Sequence, residues 1–359
     1  MTAIVIGPPV EMADINRQRT IAFGQCLQHL ETGVDHFGAD TIGGDRGYGI
    51  STHGILIKNI CNGKGFTIMV DENNKVFIMI QPYQKLSHWA NPANKLFRYQ
   101  VGFTCPPQDY DAAPSDFLRM SPRSVGVHGW MLHLPEYRHR LDQRRDHFSL
   151  LEDFVHCMAN NGVDACGQVG SNWVHASGLG VDGIRDFCNR MTDTYQTPFH
   201  MAGYAIVEAL RDMNVEKVAL NAAYHHPSWW QGTVSFLIEA GFDVLWAGNF
   251  HDQGWFTTQE EVNDCIWCFD GDLAEKSFAY VAEQAPDADA YLINGMCNFR
   301  SGEDGLAERP LHLAPAIEAM LGKPVVGHDI ALYWRLYKTL GIAPVTPQGQ
   351  LLSSLTTME

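Results

Sequence analysis

A chain of 359 residues, 45% hydrophobic and only 18% charged, has the material for two or three buried cores and not the composition of a disordered one. Its 41 acidic residues against 25 basic give a formal net charge of −16. That balance argues against nucleic acid or an anionic membrane as partner, because both demand clustered Lys and Arg.

A small anion is not excluded, since one local pocket can be rich in donors on an acidic protein. No apolar run approaches the roughly 20 residues of a membrane-spanning helix. The opening MTAIVIGPPVEMADINRQRT has neither the basic leader nor the small-residue cleavage site of a signal peptide. Nine scattered cysteines, an odd number, suit reduced thiols, so a cytoplasmic location is expected. A homo-oligomer is left open.

Residues 1–98 are expected to form an N-terminal extension, partly β. The glycine-rich stretch GADTIGGDRGYGISTHG follows no strand and opens no helix, so it is not a dinucleotide loop. In GFTIMVDENNKVFIMIQPY, two runs of period-2 apolar residues flank a DENNK turn, which predicts a β-hairpin. The bland reading of the extension is a structural or oligomerisation arm.

From Tyr99 onward, short apolar runs alternate with amphipathic stretches. YQVGFT, SVGVHGWML, VDACGQV, KVALNA, FDVLWA, DAYLIN and KPVVG are separated by stretches such as HFSLLEDFVHCMANN, MAGYAIVEALRDM and IALYWRLYKTL. Apolar runs of that length between helices read as parallel strands buried on both faces. The predicted fold is α/β, with two pseudo-symmetric, doubly wound parallel-sheet lobes. The first lobe spans 99–205 and is completed by 323–347, the second spans 206–322, and 348–359 is a tail. Ligands are then expected between the lobes, at the carboxyl ends of the strands.

Cys265 and Cys268 form a C-x-x-C in EEVNDCIWCFDGDLAEKSF, which reads as a helix with both thiols on one packed face. Histidines and tryptophans crowd the same loops, among them His175, His200, His225, His226, His328, Trp173, Trp229 and Trp230. None falls in an H-E-x-x-H or similar spacing, so no metal site is expected.

The segment from Tyr99 to about Pro347 resembles the maleate isomerase and arylmalonate decarboxylase group of the aspartate/glutamate racemase superfamily. YQVGFTCPPQDYDAAPSDFLRMSPRSVGVHGWMLHLP looks like that group's first two strands and the loop between them. NNGVDACGQVGSNWVHASG resembles the strand and loop that carry its first catalytic position. TPFHMAGYAIVEALRDMNVEKVALNAAY resembles the crossover helix and fifth strand, and KPVVGHDIALYWRLYKTLGI the closing strand and helix, with Trp334.

The resemblance implies an enzyme that needs neither metal nor organic cofactor and acts on a small carboxylic acid. In the group, a cysteine thiolate adds to the substrate or moves a proton next to a carboxylate, while preorganised donors stabilise the enolate-like charge. Gly170 falls where two-cysteine members carry their first cysteine, and the decarboxylases have glycine there. Gly170, Ser171 and Asn172 then form either a carboxylate grip or an ordinary βα turn with helix-capping residues. Tyr224 matches the tyrosine that donates to the substrate carboxylate, or serves as a lobe contact.

For the second cysteine, counting forward from DADAYLI reaches Gly295, and counting back from Asn298 in NFRS reaches Met296. The thiol itself is Cys297, expected as the acid/base. Asp109 and Asp329 replace the group's asparagines, and either can cap a helix or be neutralised by His328, His225 or Arg300. Trp173 offers an apolar wall or simply packs in the core, and His328 offers a second proton carrier.

The function expected on these grounds is a cofactor-independent lyase that decarboxylates a substituted malonate or related acid. An isomerase or racemase is the nearest rival, followed by a His/Asp hydrolase and a non-catalytic carboxylate-binding protein.

Overall fold

The computed structural model describes residues 3–5, 48–51, 54–61, 64–70, 76–80, 91–107, 110–295 and 297–357. Its contacts divide the chain into two units, Met1–Gln84 and Lys85–Glu359. In the first, five strands form an antiparallel sheet in the order Ala3–Val5, Val76–Ile80, Lys64–Val70, Gly54–Cys61, Tyr48–Ser51. The expected hairpin is there, with Val70 opposite Val76 where the two strands meet their turn. The sequence reading missed the other three strands. Two of them begin in or beside the glycine-rich stretch, where Tyr48–Ser51 pairs with Gly54–Cys61.

The second unit holds two four-stranded parallel sheets. In one, Tyr99–Cys105 lies between Val125–Met131 and Ala165–Gln168, with Phe199–Met201 beyond the latter. In the other, Lys217–Asn221 lies between Asp243–Gly248 and Ala290–Ile293, with Val325–Gly327 beyond. Within each lobe the strands therefore run second, first, third, fourth. The shared order is the pseudo-symmetry the alternating pattern predicted, and it places a topological switch between first and third strands in both lobes.

Helices cover these sheets with residues at three- and four-residue spacing. Along Gly180–Tyr195, the side chains Val181, Ile184, Phe187, Cys188, Met191 and Tyr195 are buried, and the helix ends where Gln196 turns left-handed at φ 50°. The helix His328–Leu340 is buried nearly all round because it packs both on Ala202–Asp212 and on the strand Ala165–Gln168. Its Tyr337 ring stacks on Phe117 at 4.4 Å. The segment expected to complete the first lobe thus divides. Its strand Val325–Gly327 takes the open edge of Ala290–Ile293 in the second sheet, while its helix covers the first.

A small third sheet joins Cys268–Asp270, Asn298–Arg300 and Ala307–Glu308. It corrects the reading of Cys265 and Cys268 as one helix face. The helix Gln259–Asp264 stops just before them, because Ile266 and Trp267 adopt φ values of 49° and 61°, and Cys268 opens a strand. Among the described residues no helix is long and apolar enough to cross a membrane.

Candidate active site

The loops that follow the first and third strands of both lobes enclose a cavity of about 670 Å³. Pro106 and Tyr110 come from the first strand of the first lobe, and Gly170, Ser171 and Asn172 from its third. Tyr224, His225 and His226 follow the first strand of the second lobe, and Gly295 and Asn298 its third. His328 enters from the strand Val325–Gly327. Of the expected site residues, Gly170, Ser171, Asn172, Tyr224, Gly295, Asn298 and His328 therefore share one wall-to-wall space. Asp109 and Met296 lie outside the described residues.

Gly170 and Gly295 each stand two residues beyond the end of their lobe's third strand, Gln168 and Ile293. Their φ values are +94° and +99°, a region open to glycine and costly for any residue with a Cβ. Gly295 is thus the counterpart of Gly170, and both positions are bare. They differ in the space beside them. A Cβ on Gly170 would find its nearest neighbours at 3.8 Å, whereas one on Gly295 would meet Tyr224 and His225 ring carbons at 2.9 Å.

Cys297 corresponds in this register to Asn172, and the expectation that it supplies the thiol does not survive its placement. Its side chain is wholly buried and contributes nothing to the cavity wall. Burial, reinforced by the Asp329 carboxylate, pushes the thiol well above its ordinary range, so the thiolate needed for base or nucleophile is suppressed. Of the two readings of Trp173, core packing is the one its placement fits: it is fully buried behind the cavity and packs under Arg144.

Ser171 is committed across the lobes. Its hydroxyl donates to Asn294 Oδ1 at 2.6 Å, and Asn294 Nδ2 donates in turn to Thr233 at 3.2 Å. The backbone amides of Ser171 and Asn172 donate to no described residue and remain the turn's open donors. Asn172 Nδ2 lies 3.4 Å from His225 Nε2. With the amide donating there, the neutral ring carries its proton on Nδ1, which has no partner among the described residues.

His225 is held well below its ordinary pKa by burial, then by the nearby charges of Arg144, His328 and His175. His328 is lowered too, by burial first, against an opposing pull from Asp329. Neither of its ring nitrogens has a hydrogen-bond partner among the described residues. Two neutral, buried imidazoles with unpaired nitrogens thus line one cavity. Tyr224 packs its ring on His225 with centroids 4.5 Å apart and leans toward Trp267 at 6.1 Å.

Two arginines that the sequence did not single out shape the charge. Arg309 is buried among three carboxylates, with Asp111 Oδ1 at 3.3 Å, Asp116 Oδ2 at 3.5 Å and Asp329 Oδ2 at 3.2 Å. Asp329 is therefore paired with Arg309, a residue outside the expected set, and not with Arg300. Burial would raise its carboxyl, but Arg309 and His328 hold it below the ordinary value. Arg144, from the short helix Leu141–Asp146, is 6% exposed and lies 4.6 Å above the Trp229 ring. In RHRLDQRRD nothing marked which arginine turns inward. Among the described residues no three His, Cys, Asp or Glu side chains are grouped as a metal site.

No family model and no curated protein matches the chain. Solved structures do. An arylmalonate decarboxylase aligns with 20% identity and a TM-score of 0.54, covering 71% of this chain and 99% of the other. The maleate isomerase Iso from Pseudomonas putida S16 aligns with 14% identity and a TM-score of 0.56, covering 71% and 98%. The maleate cis-trans isomerase of Nocardia farcinica gives 16% identity, a TM-score of 0.54 and the same coverage. The chain from the start of its first parallel strand to its C-terminal helices therefore has the two-lobed fold of arylmalonate decarboxylase and maleate cis-trans isomerase.

Proposed function

We propose that this chain is a cofactor-independent lyase that decarboxylates a small malonate-type acid at the carbon between its carboxylates, with His225 in the place of the family thiol. One observation carries this reading. The Gly170–Asn172 turn, Tyr224 and His225 meet in one cavity whose two thiol positions, Gly170 and Gly295, are both glycine.

The turn amides hold the retained carboxylate. The bond from the α-carbon to the departing carboxylate breaks, CO₂ leaves, and the electron pair spreads into an enediolate on the retained group. A neutral imidazole N–H beside that charge is both hydrogen-bond donor and proton source. His225 Nδ1–H delivers its proton to the α-carbon and is resupplied from water. Depression of its pKa keeps the ring neutral, so it does not bind the substrate as a fixed cation.

Racemisation or isomerisation of a small acid is the second reading, favoured by one fact: His328 presents a second unpaired imidazole to the same cavity. Phenylmalonate, methylmalonate, maleate and α-protiated phenylpropionate, followed by NMR in D₂O, separate the two. Decarboxylation yields CO₂ and one deuteron per product. Isomerisation or racemisation exchanges the α-position or converts maleate without CO₂. His225→Asn should lower turnover at least ~10²-fold, the low end of general acid–base contributions. Cys297→Ser should leave turnover within about twofold, since a thiol outside the wall touches no substrate. Loss of turnover in Cys297→Ser with His225→Asn active would reverse the assignment.

A further inference from the structure

We infer that Arg144 is an anion-binding residue of the cavity, and that the substrate carries a carboxylate held between the Arg144 guanidinium and the Gly170–Asn172 turn. The inference rests on the small-acid reading and narrows it. Neither the turn nor Tyr224 carries a formal positive charge, so a guanidinium changes what the site selects: an ionised carboxylate over its ester or amide.

Among the described residues, no carboxylate balances the charge of Arg144. Arg144 is 6% exposed, lines the cavity, and cannot shed its proton. Its Nε and Nη2 both donate to one acceptor, the Tyr137 hydroxyl, at 3.2 and 2.9 Å. No carboxylate among the described residues pairs with it. The other two arginines of the cavity are different: Arg309 has three carboxylates, and Arg119 pairs with Asp116 on a side chain that is 77% exposed.

Among the described residues, the groups placed against Arg144 are rings and imidazoles. The rings around it are Trp229 at 4.6 Å, Trp173 at 5.7 Å and Tyr137 at 6.0 Å, and the titratable groups within its field are His175 and His225. Ring faces return only part of what burying an ion costs. What they do is fix the plane of the guanidinium, leaving its remaining N–H groups for a planar two-oxygen acceptor.

Position agrees. The helix carrying Arg144 packs on the helix Trp173–Ala176, which begins at the Gly170–Asn172 turn, and both Arg144 and that turn line the cavity. A carboxylate there would meet a cation on one side and backbone N–H groups on the other. Arg144 would then also face the enediolate that forms from that carboxylate.

The test is binding, measured by calorimetry with malonate, phenylmalonate and inorganic phosphate, with malonamide as the neutral control. Arg144→Met and Arg144→Lys are compared with the wild type, together with the melting temperature of each unliganded protein. Arg144→Met should weaken malonate or phenylmalonate at least roughly tenfold, as for loss of a charged hydrogen bond. Arg144→Lys should keep part of the affinity, and malonamide should not bind. Unliganded Arg144→Met should melt no lower than the wild type, because an unbalanced buried charge has been removed.

Unchanged malonate binding in Arg144→Met overturns the inference and leaves the small-acid reading standing. So does a marked fall in its unliganded melting temperature, which would make Arg144 structural. Tighter binding of phosphate than of either dicarboxylate overturns the carboxylate assignment. If the wild type binds neither dicarboxylate at about 10 mM, well above ordinary substrate affinities, both inferences fail together.

Discussion

At the scale of single residues, the two glycines of the site are one backbone solution used twice. Each follows its lobe's third strand and turns at φ near +95°, where any residue with a Cβ is strained. Their neighbours nonetheless distinguish them. A Cβ on Gly170 would make only ordinary van der Waals contacts at 3.8 Å, while one on Gly295 would meet the Tyr224 and His225 rings at 2.9 Å. Gly170→Ala should therefore cost only the left-handed backbone penalty, about 1–2 kcal/mol. Gly295→Ala should cost that and the displacement of two rings, a further ~1–3 kcal/mol for overpacking. Denaturant unfolding of the two variants checks the order. Equal losses would mean that Tyr224 and His225 move aside freely, and a thiol at position 295 would then be sterically possible.

At the scale of elements, charge is organised by Arg309, which stands at the head of the helix Pro310–Leu321 and draws in Asp111, Asp116 and Asp329. Arg309→Met removes the cation and leaves three buried carboxylates facing one another. Breaking one buried pair costs roughly 3–5 kcal/mol, and the loss here should reach at least that range. Adding Asp329→Asn should return part of it, and a double-mutant cycle on urea unfolding measures the coupling. Additive losses would show that the two do not interact.

The same elements show what was legible in sequence. Alternating apolar runs gave both parallel sheets, and DENNK gave the hairpin, because strand period and turn chemistry are local. The site was legible where it lies at a strand end: Gly170, Ser171, Asn172, Tyr224, Gly295 and His328. Arg144 and Arg309 were not, since neither follows a strand of the two parallel sheets and an arginine is usually solvated. Cys297 was misplaced for a related reason. Spacing along the chain cannot tell which of three consecutive loop residues faces inward, and in the fold Gly295 takes that place.

At the scale of the whole molecule, the two lobes bury imidazoles that an unfolded chain would charge. Burial, with Arg144 adding to it, holds His175 down to about 4. Burial with Arg335 holds His200 down to about 3, and its Nε2 lies 2.9 Å from the Thr339 hydroxyl. The unfolded values lie near 6.5, so below that pH the unfolded chain binds more protons than the folded one and stability falls with falling pH. The contribution is complete above 6.5 and is lost as pH drops toward the folded values. For His175 the full loss is on the order of 3 kcal/mol at 1.36 kcal/mol per pKa unit. His225 and His328, also lowered, act in the same sense. Asp116, Glu208 and Glu318 are raised by burial and act oppositely, from their raised folded values down to the ordinary carboxylate range. They are common to the wild type and a histidine variant, so the difference between the two isolates the histidine effect between pH 6.5 and about 5. The wild-type melting temperature should decline across that window, and His175→Phe or His200→Gln should flatten the decline whatever each does to the absolute value. A melting temperature that stays level from pH 7 to 5 would mean these rings reach solvent or a partner when protonated, and the closed packing between the lobes would have to be abandoned.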